Sequence, residues 1–510
     1  MEHRIRLRYS TIINYSSMIY RMLVAIGFTV IVARKLHVSE YGLWGIILSA
    51  SLMLSTPVVL WSTWAPRFTA RGWKEAGLTG LILTILYWIP GGIIYLLVSV
   101  IEEKILGWGF SYMLLGLPLM FFQTLDSFLL TMAAVLKPEL RAYRNFIYET
   151  LRIILVYFFV VYLDLRLGGV IISVALALFV ALSYTWSRLY AMEVFSKRFS
   201  LHLAIDWLKA WYLPTTTLLN SFLKSGLRAV VSWVTGSEVP VAYLNVGFSA
   251  EAPLLQASGA GTSALYARTL REKKGQDLEE TLRLFMFFIG YMLPVFLVLS
   301  KAIATLYNPV YIEAYIVIST VSIYAVLNGL SLIYNAVLRG IEAVDMYGMP
   351  DYKTLLSSYL FKAPFSRLIV NILAYMIFIP LLFYYRSNPL MAAEAVVIAL
   401  LVSTVPLLAY YAKRTTAEVA YEFPVREAAA VSIGSIVVSL YFIIVGAYKI
   451  VVTHFWSQFP ILVVHLTIGL ILYLAVLYLI NPWIRKLFHD ARVFIGFSFR
   501  NPLITKLREE

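Results

Sequence analysis

Apolar runs of roughly twenty residues follow one another along almost the whole chain, and this spacing constrains the fold more than any motif does. Twenty helical residues, at 1.5 Å each, cover the ~30 Å hydrocarbon core of a bilayer. Hydrophobic residues make up 61% and charged residues 14% of the 510, where a soluble domain carries about 25% charged residues. No polar stretch is long enough to hold a separate soluble domain. The pattern predicts an all-α integral membrane protein.

Fourteen spanning segments are predicted, near 11–33, 41–63, 77–101, 110–134, 145–163, 167–187, 211–233, 239–266, 282–303, 311–338, 365–385, 388–411, 427–447 and 456–480. The basic N-terminus leads into a full-length apolar run without a small-residue cleavage site, so the first segment reads as a retained helix. The segment 351–368 reads as an interfacial helix on the inner face. With residues at span ends counted in the adjoining loops, the N-terminus, the even-to-odd loops and the C-terminus hold 31 of the 42 Lys and Arg; the opposite loops hold 7. Basic residues collect on cytoplasmic loops, so both termini are expected in the cytoplasm. The same asymmetry accounts for most of the formal charge of +14 without a nucleic-acid partner.

The chain has no cysteine, which excludes disulfides and thiolate chemistry. No GxxxxGK[ST] phosphate loop occurs, so ATP hydrolysis by that route is excluded.

A charge at the centre of a spanning helix costs roughly 2.5–3.5 kcal/mol on insertion scales, so the intramembrane ions are the informative residues. Arg21 shares a helix face with Asn14 and Ser17 in the first segment. The seventh carries a stripe at every fourth residue: Thr216, Asn220, Lys224 and Arg228. The tenth carries Asn328, Ser331 and Asn335. Asp126 lies in the fourth segment, Glu149 and Arg152 in the fifth, Glu251 in the eighth. Glu149 and Arg152, three apart, read as a local ion pair. Asp126 reads equally as the neutraliser of a buried cation. Segments eleven to fourteen hold no deep charge, and Asn371, Ser435 and His465 read as isolated polar residues. Cations outnumber acids within the spans, which favours an anion as the partner of Arg21, Lys224 and Arg228.

Ser39-Glu40 and Ser237-Glu238 align at an offset of 198 residues, each after a polar-faced helix. Six spans separate them, which suggests two six-helix halves related by parallel duplication. The expected organisation is 1–190 and 205–411 as these halves, 427–480 as two additional helices and 481–510 as a cytoplasmic tail.

The segment IVARKLHVSEYGLWGIILS (31–49) resembles the N-terminal signature of Wzx-type lipid-linked oligosaccharide and polysaccharide flippases. These belong to the multidrug/oligosaccharidyl-lipid/polysaccharide exporter superfamily. VTGSEVPVAYLNVGFSAEAP (234–253) resembles the start of that family's second half, with Pro240 where the first copy has Gly42, and ATLYNPVYIEAYIVIS (304–319) resembles the stretch before its tenth helix. The resemblance implies two six-helix bundles around a central cavity, two further helices, and alternating access. It implies a monomer without catalytic residues, metal or cofactor. The expected substrate is an isoprenoid-(pyro)phosphate-linked oligosaccharide, moved from the cytoplasmic to the outer leaflet of the cell membrane. Arg21, Lys224 and Arg228, with Asn14, Asn220, Asn328 and Asn335, are the expected substrate-binding residues. Asp126 and Glu251 are the expected sites of H⁺ or Na⁺ coupling or of charge compensation. A multidrug cation antiporter of the same superfamily is the main rival, and a membrane-embedded glycosyltransferase the second.

Overall fold

The apolar runs become long helices in the computed structural model, which describes residues 7–108, 110–137, 139–195, 198–209, 211–269, 275–342 and 352–489. In chain order these are α1 (Leu7–Lys35), α2 (Val38–Ser55), α3 (Ala76–Leu106), α4 (Gly116–Leu136), α5 (Glu139–Val156), α6 (Arg166–Ala191), α7 (Tyr212–Thr235), α8 (Val239–Phe248), α9 (Glu251–Thr269), α10 (Gly275–Val298), α11 (Tyr315–Gly340), α12 (Tyr359–Tyr384), α13 (Pro389–Glu418), α14 (Val425–Ile444) and α15 (Phe455–Ile480). Shorter helical pieces lie between them. No strand occurs among the described residues.

Eleven helices of the described chain are long and apolar enough to cross a membrane, and the protein is a multi-pass membrane protein. The other three predicted segments are helical too. α1 and α7, of 29 and 24 residues, have the length but carry the polar faces noted above. The eighth segment breaks at Ser249-Ala250 into α8 and α9. The arrangement is consistent with fourteen crossings.

The interfacial helix predicted at 351–368 needs correction. Only Tyr352–Ser357 forms a separate short helix. Tyr359 already begins α12, which runs unbroken to Tyr384 with Pro364 and Pro380 inside it. The apolar run from Leu368 onward carries the helix through Pro364, its sixth residue, at the loss of one backbone hydrogen bond.

By internal contacts the chain forms two compact units. One comprises Met1–Asn245 with Pro364–Ser403, the other Val246–Ala363 with Thr404–Glu510. In the first unit α1 packs along α5, α5 along α6, and α2 against both α4 and α7. Tyr95, Met120, Ala50 and Met53 form a buried core there. In the second unit α9 packs on α11, and α10 on α14, around buried Phe285, Phe442 and Tyr473. Large apolar side chains such as Ile89, Leu97, Ile444 and Leu479 point outward, as lipid-facing residues must.

The Ser-Glu repeat has a local explanation. Glu40 accepts a hydrogen bond from the backbone N–H of His37 (3.0 Å) and so caps α2. In the second copy Ser237 accepts from the N–H of Val239 (3.2 Å) at the start of α8. Both motifs start helices, through different members. They also meet. A Cβ on Gly42 would fall 2.1 Å from the carbonyl oxygen of Glu238, so only glycine admits this approach. Gly42→Ala is expected to cost about 1–3 kcal/mol through the forced backbone shift, measured as a lowered unfolding midpoint of the purified protein in detergent.

Candidate functional site

Arg21, Asp126, Arg144, Glu149 and Arg152 gather on α1, α4 and α5. The α5 helix is strongly amphipathic because Arg141, Arg144, Tyr148, Glu149 and Arg152 recur at three- and four-residue spacing on one face. Glu149 is 2% exposed and lies with Oε2 2.5 Å from Nη2 of Arg152, the ion pair expected from the spacing. Its other oxygen, Oε1, lies 3.5 Å from Nε of Arg21, whose side chain is 55% exposed. The Arg152 guanidinium lies over the Phe28 ring at 4.4 Å and over the Tyr148 ring at 5.2 Å. Arg144 also lies over the Tyr148 ring, at 4.7 Å. Asp126 on α4 receives two bonds from Arg144, Nε to Oδ1 at 3.0 Å and Nη2 to Oδ2 at 2.5 Å. Tyr20 shares a 2.7 Å hydrogen bond with Thr150 and packs against Phe146, fixing α1 on α5 beside Arg21.

In the paired part of this cluster, three guanidinium groups face two carboxylates. Arg144 is buried and Arg152 half-buried, and both are closely paired. Arg21 is the accessible cation, and its carboxylate already has a shorter partner. Bidentate Arg–carboxylate pairing is the strong form of the interaction, so Asp126 and Arg144 neutralise each other.

The α7 stripe divides between two tasks. Asn220 donates to the carbonyl oxygens of Thr216 and Pro364 (both 2.8 Å), and its Oδ1 accepts from Asn371 at 2.8 Å. Tyr375 donates to the Leu223 carbonyl at 2.6 Å. Asn220 therefore fastens α12 to α7, and Asn371 is a partner in that contact rather than an isolated residue. Further along, Arg228 donates from Nε to Oδ1 of Asn245 at 2.6 Å, and Asn245 donates to the Tyr41 carbonyl at 3.2 Å. Lys224, between these two contacts, is exposed. Arg21 and Arg228 thus have separate partners.

The remaining expected residues are dispersed. Asn14 lies on α1, and its side chain falls outside those described. Asn328 is buried, with its amide 3.4 Å from the Tyr324 hydroxyl and its oxygen accepting from Ser331 at 3.5 Å, all within α11. Asn335 lies on the same helix, half-buried. Glu251 occupies the first turn of α9, where a negative charge complements the helix dipole.

Three further polar residues matter that the apolar pattern does not single out. The pattern puts Glu102 in an outer loop, but it lies inside α3 and is 1% exposed. It accepts 2.6 Å from the Trp233 indole and 3.4 Å from the Ser232 hydroxyl, joining α3 to α7. Gly107, with φ +70°, ends the helix; that glycine, read as the C-terminal cap, extends α3 over Glu102. Arg144 falls in a loop by the same pattern yet lies inside α5, where the Pro138-Glu139 start signal in the sequence would place it. Glu394 is buried in the second turn of α13, so the later helices do hold a buried acid.

Neither a protein-family profile nor a curated protein matches the sequence. Solved structures do. A lipid II flippase, MurJ, in an inward closed conformation aligns with a TM-score of 0.61 at 14% identity, over 94% of this chain and 100% of its own. An inward-facing multidrug resistance MATE family transporter of the MOP superfamily aligns with a TM-score of 0.58 at 15% identity, over 80% of this chain and 98% of its own. A mutant of the Vibrio cholerae MATE transporter VcmN aligns with a TM-score of 0.54 at 14% identity, over 81% of this chain and 98% of its own. The chain has the helical fold of these MATE and MurJ transporters.

Asp126→Leu, which strands Arg144 without a counter-ion, is expected to destabilise the protein by about 3–5 kcal/mol. The double variant Asp126→Leu/Arg144→Met is expected to recover most of that loss. Thermal unfolding of both variants in detergent checks the pair.

Proposed function

We propose that this protein is a flippase for an isoprenoid-(pyro)phosphate-linked oligosaccharide, which it moves from the cytoplasmic to the outer leaflet by alternating access. One observation carries the reading: Arg21 is an accessible cation in the membrane-embedded part of the fold, and its carboxylate partner is already neutralised by Arg152. A phosphate fits a guanidinium in charge and in hydrogen-bond geometry. The match with a lipid II flippase over nearly the full length of both chains supports the same substrate class.

In this reading Arg21 makes the first phosphate contact, with Lys224 and Arg228 as further cationic positions along the passage. Asn14 and Asn335 offer amides to the sugar, Asn328 is buried within α11, and Asn220 serves mainly to hold α12. The two six-helix halves at 1–190 and 205–411, the extra helices at 427–480 and the tail at 481–510 belong to the proposal, as do action as a monomer in the cell membrane and coupling to H⁺ or Na⁺ at Glu251. The multidrug-cation alternative needs an embedded carboxylate open to a cation. Within the cluster around Arg21, Asp126 and Glu149, each 2.5 Å from an arginine nitrogen, are poorly placed for that.

The transport test uses proteoliposomes and an NBD-tagged isoprenyl-pyrophosphoryl sugar, with dithionite bleaching as the readout of leaflet exchange. Arg21→Ala is expected to slow exchange at least about tenfold, the worth of ~1.4 kcal/mol of lost phosphate contact, and Arg21→Lys to restore part of it. Unchanged exchange in Arg21→Ala would overturn the assignment.

The proposed topology puts the α5–α6 turn outside and the chain after α6 inside. Because the protein has no cysteine, single substitutions report directly. In intact cells Leu163→Cys is expected to react with a membrane-impermeant maleimide, and Glu193→Cys only after lysis.

A further inference from the structure

Glu149 holds two cations of different kinds. Arg152, at 2.5 Å and 14% exposed, is fixed by the two aromatic rings beneath it. Arg21, at 3.5 Å and 55% exposed, lies beyond the 2.7–2.9 Å of a good charge-assisted hydrogen bond. Its backbone is anchored, because neighbouring Tyr20 is bonded to Thr150. The side chain can therefore turn away from Glu149 without moving α1. If it does, Glu149 keeps its charge balance through Arg152 and no buried ion is stranded.

From this geometry we infer that Glu149 is a resident anion for the empty site. It occupies Arg21 when no substrate is present and yields it to the phosphate of an arriving lipid-linked sugar. The inference rests on the phosphate-binding reading of Arg21 and adds the residue that sets how tightly that cation holds its cargo. Glu149 is a positioning residue, acting through Arg21. The cation is partly compensated while the passage is empty, which lowers the cost of holding a charge within the membrane. A ligand must compete with a carboxylate, so neutral lipids gain nothing from displacing it. The carboxylate also returns when substrate leaves, which favours release.

The test measures binding of farnesyl pyrophosphate to the full-length protein in nanodiscs, together with its dissociation rate. Glu149→Gln is expected to bind the probe about fivefold more tightly, the worth of one half-exposed ion pair, and to release it more slowly. Glu149→Gln/Arg152→Gln removes the pair as a unit and is expected to shift affinity the same way, which covers the case where Glu149→Gln folds poorly. Arg21→Ala is expected to abolish binding in every background. If Arg21→Ala binds normally, the phosphate reading itself fails. If Arg21→Ala loses binding while both Glu149 variants bind as the wild type or more weakly, only the resident-anion role is overturned. A merely structural role for Glu149 would weaken binding when removed, so the sign of the shift separates the two.

Discussion

Hydrocarbon offers no water to a polar group, and the structure follows from that lack. Backbone N–H and C=O groups close on themselves within helices. Side chains then have few ways to be polar. Tyrosine is the device used most visibly. The hydroxyls of Tyr87, Tyr95, Tyr375, Tyr411 and Tyr473 each donate to a backbone carbonyl on another helical segment, at 2.6–2.9 Å. Tyr291 on α10 and Tyr473 on α15 do so reciprocally, to Leu466 and Phe287. Carbonyl oxygens in a helix keep a spare lone pair, so the phenol gains a partner without costing the helix a bond. Such contacts are worth about 0.6–2 kcal/mol each in a membrane. The 35 tyrosines of the chain are thus partly an answer to helix association where hydrophobic driving force is absent.

The same lack governs the charges. Asp126 with Arg144, and Glu149 with Arg152, are ions closed on one another. Glu102 is satisfied by two neutral donors, Trp233 and Ser232. Arg228 spends its Nε on Asn245. Each of these groups joins two helices or steadies one, and their removal tests stability first. Arg21 differs because its partner is shared, more distant and already neutralised. Function is read where compensation is incomplete, not wherever a charge occurs.

The helical architecture was legible because a twenty-residue apolar run admits few structures. The ends of helices were less so. Glu102 and Arg144 fall outside the predicted spans because apolar content drops before the helix stops, whereas α3 ends at Gly107 and α5 starts at Glu139. The break between α8 and α9 carries a start signal, Glu251 and Pro253 in the first turn of α9, but the apolar pattern runs on through Ser249 and Ala250 and passes over it. Pairings across helices were hardest. The Glu149–Arg152 pair is local and follows from three-residue spacing. Asn220 with Asn371, separated by 151 residues, follows from no pattern within either helix. A polar stripe indicates that something polar is met, and the tertiary contact decides whether it is a substrate or another helix.

A fold shared by a multidrug transporter and a lipid II flippase cannot by itself select a substrate. The sign of the accessible charge is a better guide. An exporter of organic cations needs a carboxylate left open, while a carrier of phosphate needs a cation left open. In the N-terminal unit both intramembrane acids of the cluster are bound to arginines, and the group left over is a guanidinium. Changing the substrate class on this scaffold would not require new helices. Under the proposed reading it would require releasing Asp126 or Glu149 from its arginine and removing Arg21, which reverses the accessible charge while the packing of α1, α4 and α5 stays in place.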